Sequence, residues 1–365
     1  MKICIAAGGT GGHISPGVSL YKSFKSKGFE LLFITNPHAL KFPIIKEEVE
    51  SQDIITIPIS SGFTKNIMKN LKTLLEFIKS ITISLKSLKS FNPDKIILTG
   101  GYSSAPIGIA SFLLGKEAIL LEQNSVMGTT NKILSFIAKN VILSFPLEGV
   151  KNKRKFIKLG NPIRYSLNDK MMKDTARNIL GFNQSDRKLI GIVLGSQGAK
   201  KVNEFLCKNI LSILENFDII WITGEDYYDY VQSKIKNTID NSTDLKSKIQ
   251  IKIYPFITKM NLFFSAIDIA ISRAGASTLS ELSFFGVPSI LIPFPYSAHN
   301  HQYYNARYFE TKGASVLIKE EELTIESLLD AINFILNNFT IFSSNTRNIF
   351  PQNVTDVIAD KITKV

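Results

Sequence analysis

The sequence predicts an α/β protein of two doubly wound, Rossmann-like domains facing one another across a cleft. Three observations predict it. Short continuous apolar runs alternate with amphipathic stretches, the pattern of parallel strands covered on both faces. That alternation restarts after Gly160-Asn161-Pro162, and 365 residues suffice for two domains of ordinary size. Glycine-rich loops follow strands, two in each half, where ligands of such folds bind.

In the first half, residues 2–7, 31–35, 54–57, 95–99, 117–121 and 140–143 read as strands. Residues 14–27 and a long tract from about 66 to 91 read as helices. In the second half the strands fall at 189–194, 218–223, 249–254, 267–271, 289–292 and 315–317. The expected domains are 1–162 and 163–342, with a C-terminal helix over about 343–365 packing back on the first.

Hydrophobic residues at 44% and charged residues at 20% suit a folded chain. No apolar run approaches the roughly 20 residues that cross a bilayer. The apolar opening meets Gly8-Gly9 at once, too soon for an export signal. Cys4 and Cys207 lie far apart, form no metal-ligand spacing and read as buried thiols in a reducing compartment. Charge is uneven: residues 1–165 carry 22 Lys+Arg against 10 Asp+Glu, whereas 166–365 carry 21 of each. The first half therefore suits a polyanion or an anionic membrane surface. Nucleic acid is disfavoured, because the lysine-rich tract 65–89 interleaves only one aromatic, Phe77.

The first loop, Gly8-Gly9-Thr10-Gly11-Gly12-His13, lets backbone N–H groups approach an anionic oxygen just before a helix. The dinucleotide fingerprint fails here: Ile14 stands where its last glycine belongs, and Asn36-Pro37 follow the second strand in place of an acid. The second loop runs Gly100-Gly101-Tyr102-Ser103-Ser104-Ala105-Pro106, and the third Gly195-Ser196-Gln197-Gly198-Ala199. The fourth, Ser272-Arg273-Ala274-Gly275-Ala276-Ser277-Thr278, leads into a helix carrying Glu281. Singly each is a tight strand-to-helix turn; together, at equivalent strand ends, they imply a shared ligand cleft.

In order and spacing these loops, with Glu122-Gln123-Asn124, Gly160-Asn161-Pro162-Ile163-Arg164, and His301-Gln302 before Asn305-Ala306, resemble the MurG family. That family transfers N-acetylglucosamine from UDP to the undecaprenyl-linked muramyl-pentapeptide precursor of peptidoglycan. The resemblance implies the glycosyltransferase-B arrangement, an inverting transferase without metal or other cofactor, and a peripheral place on the cytoplasmic face of the inner membrane. A glycolipid synthase with another lipid acceptor, such as diacylglycerol, is the alternative on the same fold.

The resemblance also implies roles. Ser196 and the helix start at Gly275, Ala276, Ser277, Thr278, Leu279 and Ser280 would meet the donor diphosphate, and Glu281 the ribose hydroxyls. The Ile257 backbone would pair with the uracil edge and Gln302 would bind sugar hydroxyls, while Asn124 and Arg164 would reach the donor across the cleft. Thr10, Gly11 and Gly12 would close over the reaction centre and hold the acceptor diphosphate. Inversion needs one general base. His13 is the first choice, since imidazole titrates near neutrality; Glu122 is the second, and a phosphate-contacting or helix-capping His13 stays open. The chain departs from the family pattern at Leu121, where histidine is usual, at Leu194, which replaces a glycine, and at His299-Asn300.

Between residues 65 and 89 stand six lysines and one acid, Glu76. Ile67, Leu71, Leu74, Ile78, Ile81, Leu85 and Leu88 form a stripe expected to pack into the core. The lysines with Met68, Phe77 and Ile83 are expected to rest on anionic headgroups, so that residues about 62–90 would bind the membrane reversibly.

Overall fold

The structure, a computed structural model, describes residues 1–59, 67–147, 154–182, 186–195, 198–240 and 249–364, with backbone alone for 67–69. The chain divides into two compact units, Met1–Arg164 with Asn353–Val365, and Tyr165–Gln352.

The first unit is built on β1 (Lys2–Ala6), β2 (Glu30–Thr35), β3 (Ile54–Thr56), β4 (Lys95–Leu98), β5 (Ala118–Glu122), β6 (Asn140–Leu143) and β7 (Phe156–Lys158). They form one parallel sheet in the order β3-β2-β1-β4-β5-β6-β7. Ile3, Cys4, Ile5 and Ala6 are wholly buried, as a strand covered on both faces requires. Connection order reverses between β1 and β4, so a crevice opens beyond their carboxyl ends. The strand β7 was not expected; its three residues flanked by lysines carry too little pattern to read.

The first helix spans Gly11–Ser26, starting earlier than the expected residue 14. Gly11 and Gly12 take helical geometry directly after Thr10, which puts His13 inside the first turn. Gly17 lets this helix lie hard on the sheet: a Cβ there would sit 2.5 Å from that of Ala7.

The second unit contains β8 (Lys188–Val193), β9 (Phe217–Ile222), β10 (Ile251–Tyr254), β11 (Ile269–Ser272), β12 (Ser289–Leu291) and β13 (Ser315–Leu317). All are parallel, in the order β10-β9-β8-β11-β12-β13, with the reversal between β8 and β11. Trp221 anchors the core, its indole N–H donating to Asn203 Oδ1 at 3.1 Å. The segment 343–352, expected to return to the first unit, stays here. Ser283 donates to the Thr346 carbonyl at 2.8 Å, and Thr346 donates to that of Ala314 at 3.0 Å. The C-terminal helix Val354–Lys364 does return, with Ser23 donating to Asp356 at 2.8 Å and Lys27 to Asp360 at 2.6 Å.

The long helix, Ile67–Phe91, corrects one expectation. Its inward face is Thr73, Ser80, Ser84 and Leu88, with Phe77, Ile83 and Leu85 packed on the core. Ser80 and Ser84 satisfy their hydroxyls on carbonyls one turn back, at 2.6 and 2.7 Å. Small inward residues suit close packing on the neighbouring helix Ala105–Leu113. Leu71, Leu74, Leu75 and Ile78 are thereby turned outward, 43–62% exposed. Among the described side chains the expected stripe is core only toward Leu85 and Leu88, while Phe77 and Ile83 belong inside. No described helix is long and apolar enough to cross a membrane.

Candidate active site

In the first unit, the loops after β1, β4 and β5 leave neighbouring parallel strands at one edge of the sheet. Thr10 caps the Gly11–Ser26 helix without a side-chain bond, and no acid stands in its first turn. The donors of that turn and the positive end of the helix dipole suit an anion. His13 Nδ1 lies 3.0 Å from the Thr99 carbonyl and 3.1 Å from Gln123 Oε1. Its Nε2 edge rests against Gly101, where a Cβ would come to 3.0 Å and φ is +72°. Glycine is required there both for the backbone and for the imidazole.

Glu122 ends β5 almost wholly buried. Its Oε1 accepts the Asn124 N–H at 3.0 Å; its Oε2 accepts the Gly128 N–H at 3.2 Å and Asn131 Nδ2 at 2.8 Å. Burial raises its pKa, opposed by those donors. The carboxyl group thus braces the loop holding Asn124. Leu121, on the opposite strand face, is buried and supplies no imidazole there. Arg164 closes the unit beyond β7, separated from β5 by β6.

In the second unit, β8, β11 and β12 are consecutive parallel neighbours, so the segments that follow them, beginning at Leu194, Arg273 and Ile292, leave at one edge. Ser196 and Gln197 lie outside the described residues. Gly198, at φ +70°, would put a Cβ 2.4 Å from the Thr223 carbonyl, so the turn admits no side chain. The helix Ala276–Phe285 starts at Gly275 with no side-chain cap and no acid in its first turn. Ser277 Oγ is buried there without a hydrogen-bond partner among the described residues. Leu279 packs fully into the core, and Ser280 donates to the Ala276 carbonyl at 2.8 Å. Thr278 and Glu281 are half-buried on the same helix. Ile257 follows β10, on the far side of β9 from β8.

Gln302 accepts the Phe294 N–H at 2.9 Å through Oε1, leaving its NH₂ to donate to a hydroxyl. The preceding turn holds His299 and Asn300 both left-handed, at φ +53° and +55°, uncommon for residues with a Cβ. Arg273 donates to the Ile292 and Pro293 carbonyls at 3.0 and 3.1 Å and pairs with buried Glu320, bracing that loop from beneath.

The sequence reading assigned no role to Gln123, Thr99, Asn131, Arg273 or Glu320. Gln123 and Arg273 stood in the quoted motifs, a usable signal. Thr99 acts through its carbonyl, and Asn131 and Glu320 come from outside those motifs, so residue type alone gave no sign.

Residues 3–143 match the Glycosyltransferase family 28 N-terminal domain and residues 189–359 the C-terminal domain of the same family. The UDP-N-acetylglucosamine--N-acetylmuramyl-(pentapeptide) pyrophosphoryl-undecaprenol N-acetylglucosamine transferase of Thermoanaerobacter sp. (strain X514) is 38% identical over 95% of this chain and 94% of its own. The enzyme of that name from Aquifex aeolicus (strain VF5) is 33% identical over 96% of both. The crystal structure of Acinetobacter baumannii MurG matches with a TM-score of 0.75 at 25% identity, covering 100% of this chain and 99% of that one. Two parallel α/β sheets with these loops at their carboxyl edges define a glycosyltransferase with two Rossmann-like domains. The chain belongs to glycosyltransferase family 28 and, within it, to the MurG family.

Proposed function

We propose that the protein transfers N-acetylglucosamine from UDP-N-acetylglucosamine, with inversion, to undecaprenyl-pyrophosphoryl-muramyl-pentapeptide. The near full-length likeness to relatives bearing that activity supports the substrates. His13, held through Nδ1 at the edge where a helix start and glycine loops meet, is the observation that carries the mechanism.

In this reading the acceptor hydroxyl gives its proton to His13 Nε2 as its oxygen attacks the anomeric carbon. The new carbon–oxygen bond forms as the bond to UDP breaks, and the electron pair leaves on the β-phosphate. Ser277 and the start of the Ala276–Phe285 helix meet that charge, with Ser196 as a further hydroxyl. Glu281 takes the ribose hydroxyls, the Ile257 backbone the uracil, and Gln302 the sugar, with Asn124 and Arg164 as further donor contacts. Thr10, Gly11 and Gly12 receive the acceptor diphosphate. Glu122, braced by three N–H donors, serves as loop support and not as base.

The protein would meet its lipid substrate as a peripheral protein on the cytoplasmic face of the membrane. Leu71, Leu74, Leu75 and Ile78 are exposed on the long helix, and Phe112 and Leu113 on the helix Ala105–Leu113 packed against it. Ile133 and Phe136 are exposed on the next helix, Thr129–Ile137, which contacts Ala105–Leu113 in turn. Lys72, Lys79, Lys86 and Lys89 on the long helix add about 1 kcal/mol each near anionic lipid.

The test is transfer of labelled sugar to a short-chain muramyl lipid, with diacylglycerol in parallel. Product on the muramyl lipid alone, lost in His13→Ala, is expected. Transfer to diacylglycerol alone would refute the substrate assignment, and wild-type turnover in His13→Ala the base.

A further inference from the structure

We infer that Gln123 is a positioning residue: it holds the proton of neutral His13 on Nδ1 and so keeps the lone pair on Nε2. The catalytic part of this inference rests on His13 being the base, as proposed above.

The Thr99 carbonyl can only accept. Gln123 Nε2 lies 2.7 Å from it, so that end of the amide must be the NH₂. Oε1 then faces His13 Nδ1 at 3.1 Å, and Nδ1 is also 3.0 Å from the Thr99 carbonyl. A nitrogen facing two acceptors must carry hydrogen. A neutral ring has one N–H, so its basic nitrogen is Nε2, the edge that rests against Gly101.

Each partner is built to hold this state. Gln123 is 2% exposed and Thr99 fully buried, so water does not compete for these bonds. The Thr99 position is fixed in turn, because its N–H donates to the Ala6 carbonyl of β1 at 3.0 Å. In water a histidine ring favours the other tautomer, so the arrangement selects the form with the right nitrogen basic. A neutral amide does this without a carboxylate's charge, which would raise the pKa of the ring and favour imidazolium. Gln123 therefore orients the base without placing a charge beside it. The second residue of the Glu122-Gln123-Asn124 triplet thus acts through His13, whereas Glu122 acts through the following loop.

The experiment is nitrogen NMR of ¹⁵N-histidine-labelled protein at alkaline pH, where the ring is neutral. The chain has only 4 histidines, so His13→Ala identifies the resonances. Wild type is expected as the Nδ1–H form, and Gln123→Leu and Gln123→Met as mixtures richer in Nε2–H. In the same variants kcat should fall about 10- to 100-fold, part of the roughly 100- to 10,000-fold that a general base supplies. The KM for UDP-N-acetylglucosamine should stay within about twofold, because Gln123 is not among the proposed donor contacts. Wild type in the Nε2–H form would overturn the inference with no variant needed, as would Nδ1–H retained in both variants. A shifted tautomer with unchanged kcat would overturn the catalytic role. His13→Ala turnover then tells whether the base assignment failed with it.

Discussion

Asn131 donates to the Glu122 carboxylate at 2.8 Å from a fully buried position. Through Oδ1 it also accepts the Gly101 N–H at 3.2 Å. The pair therefore ties the loop after β5 to the loop that touches His13. Neither bond is a contact to substrate, yet both set where the imidazole can sit.

Replacing Asn131 by Ala should leave the Gly101 N–H and one Glu122 lone pair unsatisfied, costing about 1–3 kcal/mol for each buried group. Burial already raises the Glu122 pKa, and losing this donor should raise it further. A carboxyl group whose pKa is raised on folding contributes stability below its unfolded pKa. That contribution is lost as pH rises through the folded value. The variant should therefore lose stability more steeply than wild type from acidic pH upward. Urea unfolding across that range measures it, and parallel curves would refute the role given to Asn131.

Gly101→Ala should damage turnover more than donor binding. The position has φ +72°, and its Cβ would lie 3.0 Å from His13 Nε2, so strain and displacement act on the same ring. We expect kcat to fall at least about 100-fold, since small misplacements of a catalytic group cost that much. UDP binding, measured by calorimetry, should be nearly unchanged, because most of the proposed donor contacts belong to the second unit.

Arg273→Met should destabilise the second unit by about 3–5 kcal/mol, the scale for a buried carboxylate that loses its partner. Among the described residues Glu320 would keep as ion-pair partner only Lys201, an exposed side chain 3.6 Å away. The Ile292 and Pro293 carbonyls would also lose their donor, loosening the loop that bonds Gln302, so the KM for UDP-N-acetylglucosamine should rise. Adding Glu320→Leu should recover much of the stability but not the KM. Recovery of both would show that Arg273 does not support the loop.

The two sheets were legible because continuous apolar strands and glycine turns are local signals. All twelve expected strands are present, and β7 escaped because three residues beside lysines offer no period. The phase of the long helix was misread for a different reason. Leucines usually mark the buried face, but here Ser80 and Ser84 occupy it by satisfying their hydroxyls within the helix. In the site, His13 and Glu122 announced themselves as titratable groups in motifs. What separates their proposed roles is a ring of N–H donors on one and two acceptors on the other, contacts that no motif spacing encodes.

That same helix phase yields opposite predictions for neighbouring apolar residues. Leu75 is 62% exposed and Ile78 53%, whereas Phe77 packs on the core. Leu75→Glu with Ile78→Glu should leave the unfolding midpoint nearly unchanged, because neither side chain is buried. It should weaken binding to anionic vesicles, since two apolar contacts are lost and two charges repel the headgroups. Turnover of a water-soluble acceptor analogue should persist. Phe77→Ala should do the reverse, costing about 2–4 kcal/mol by opening a cavity in a partly buried position while the outer face stays intact. Vesicle sedimentation at low salt beside urea unfolding separates the two cases. If the double variant sediments with vesicles as wild type does, this face is not the one that rests on the membrane.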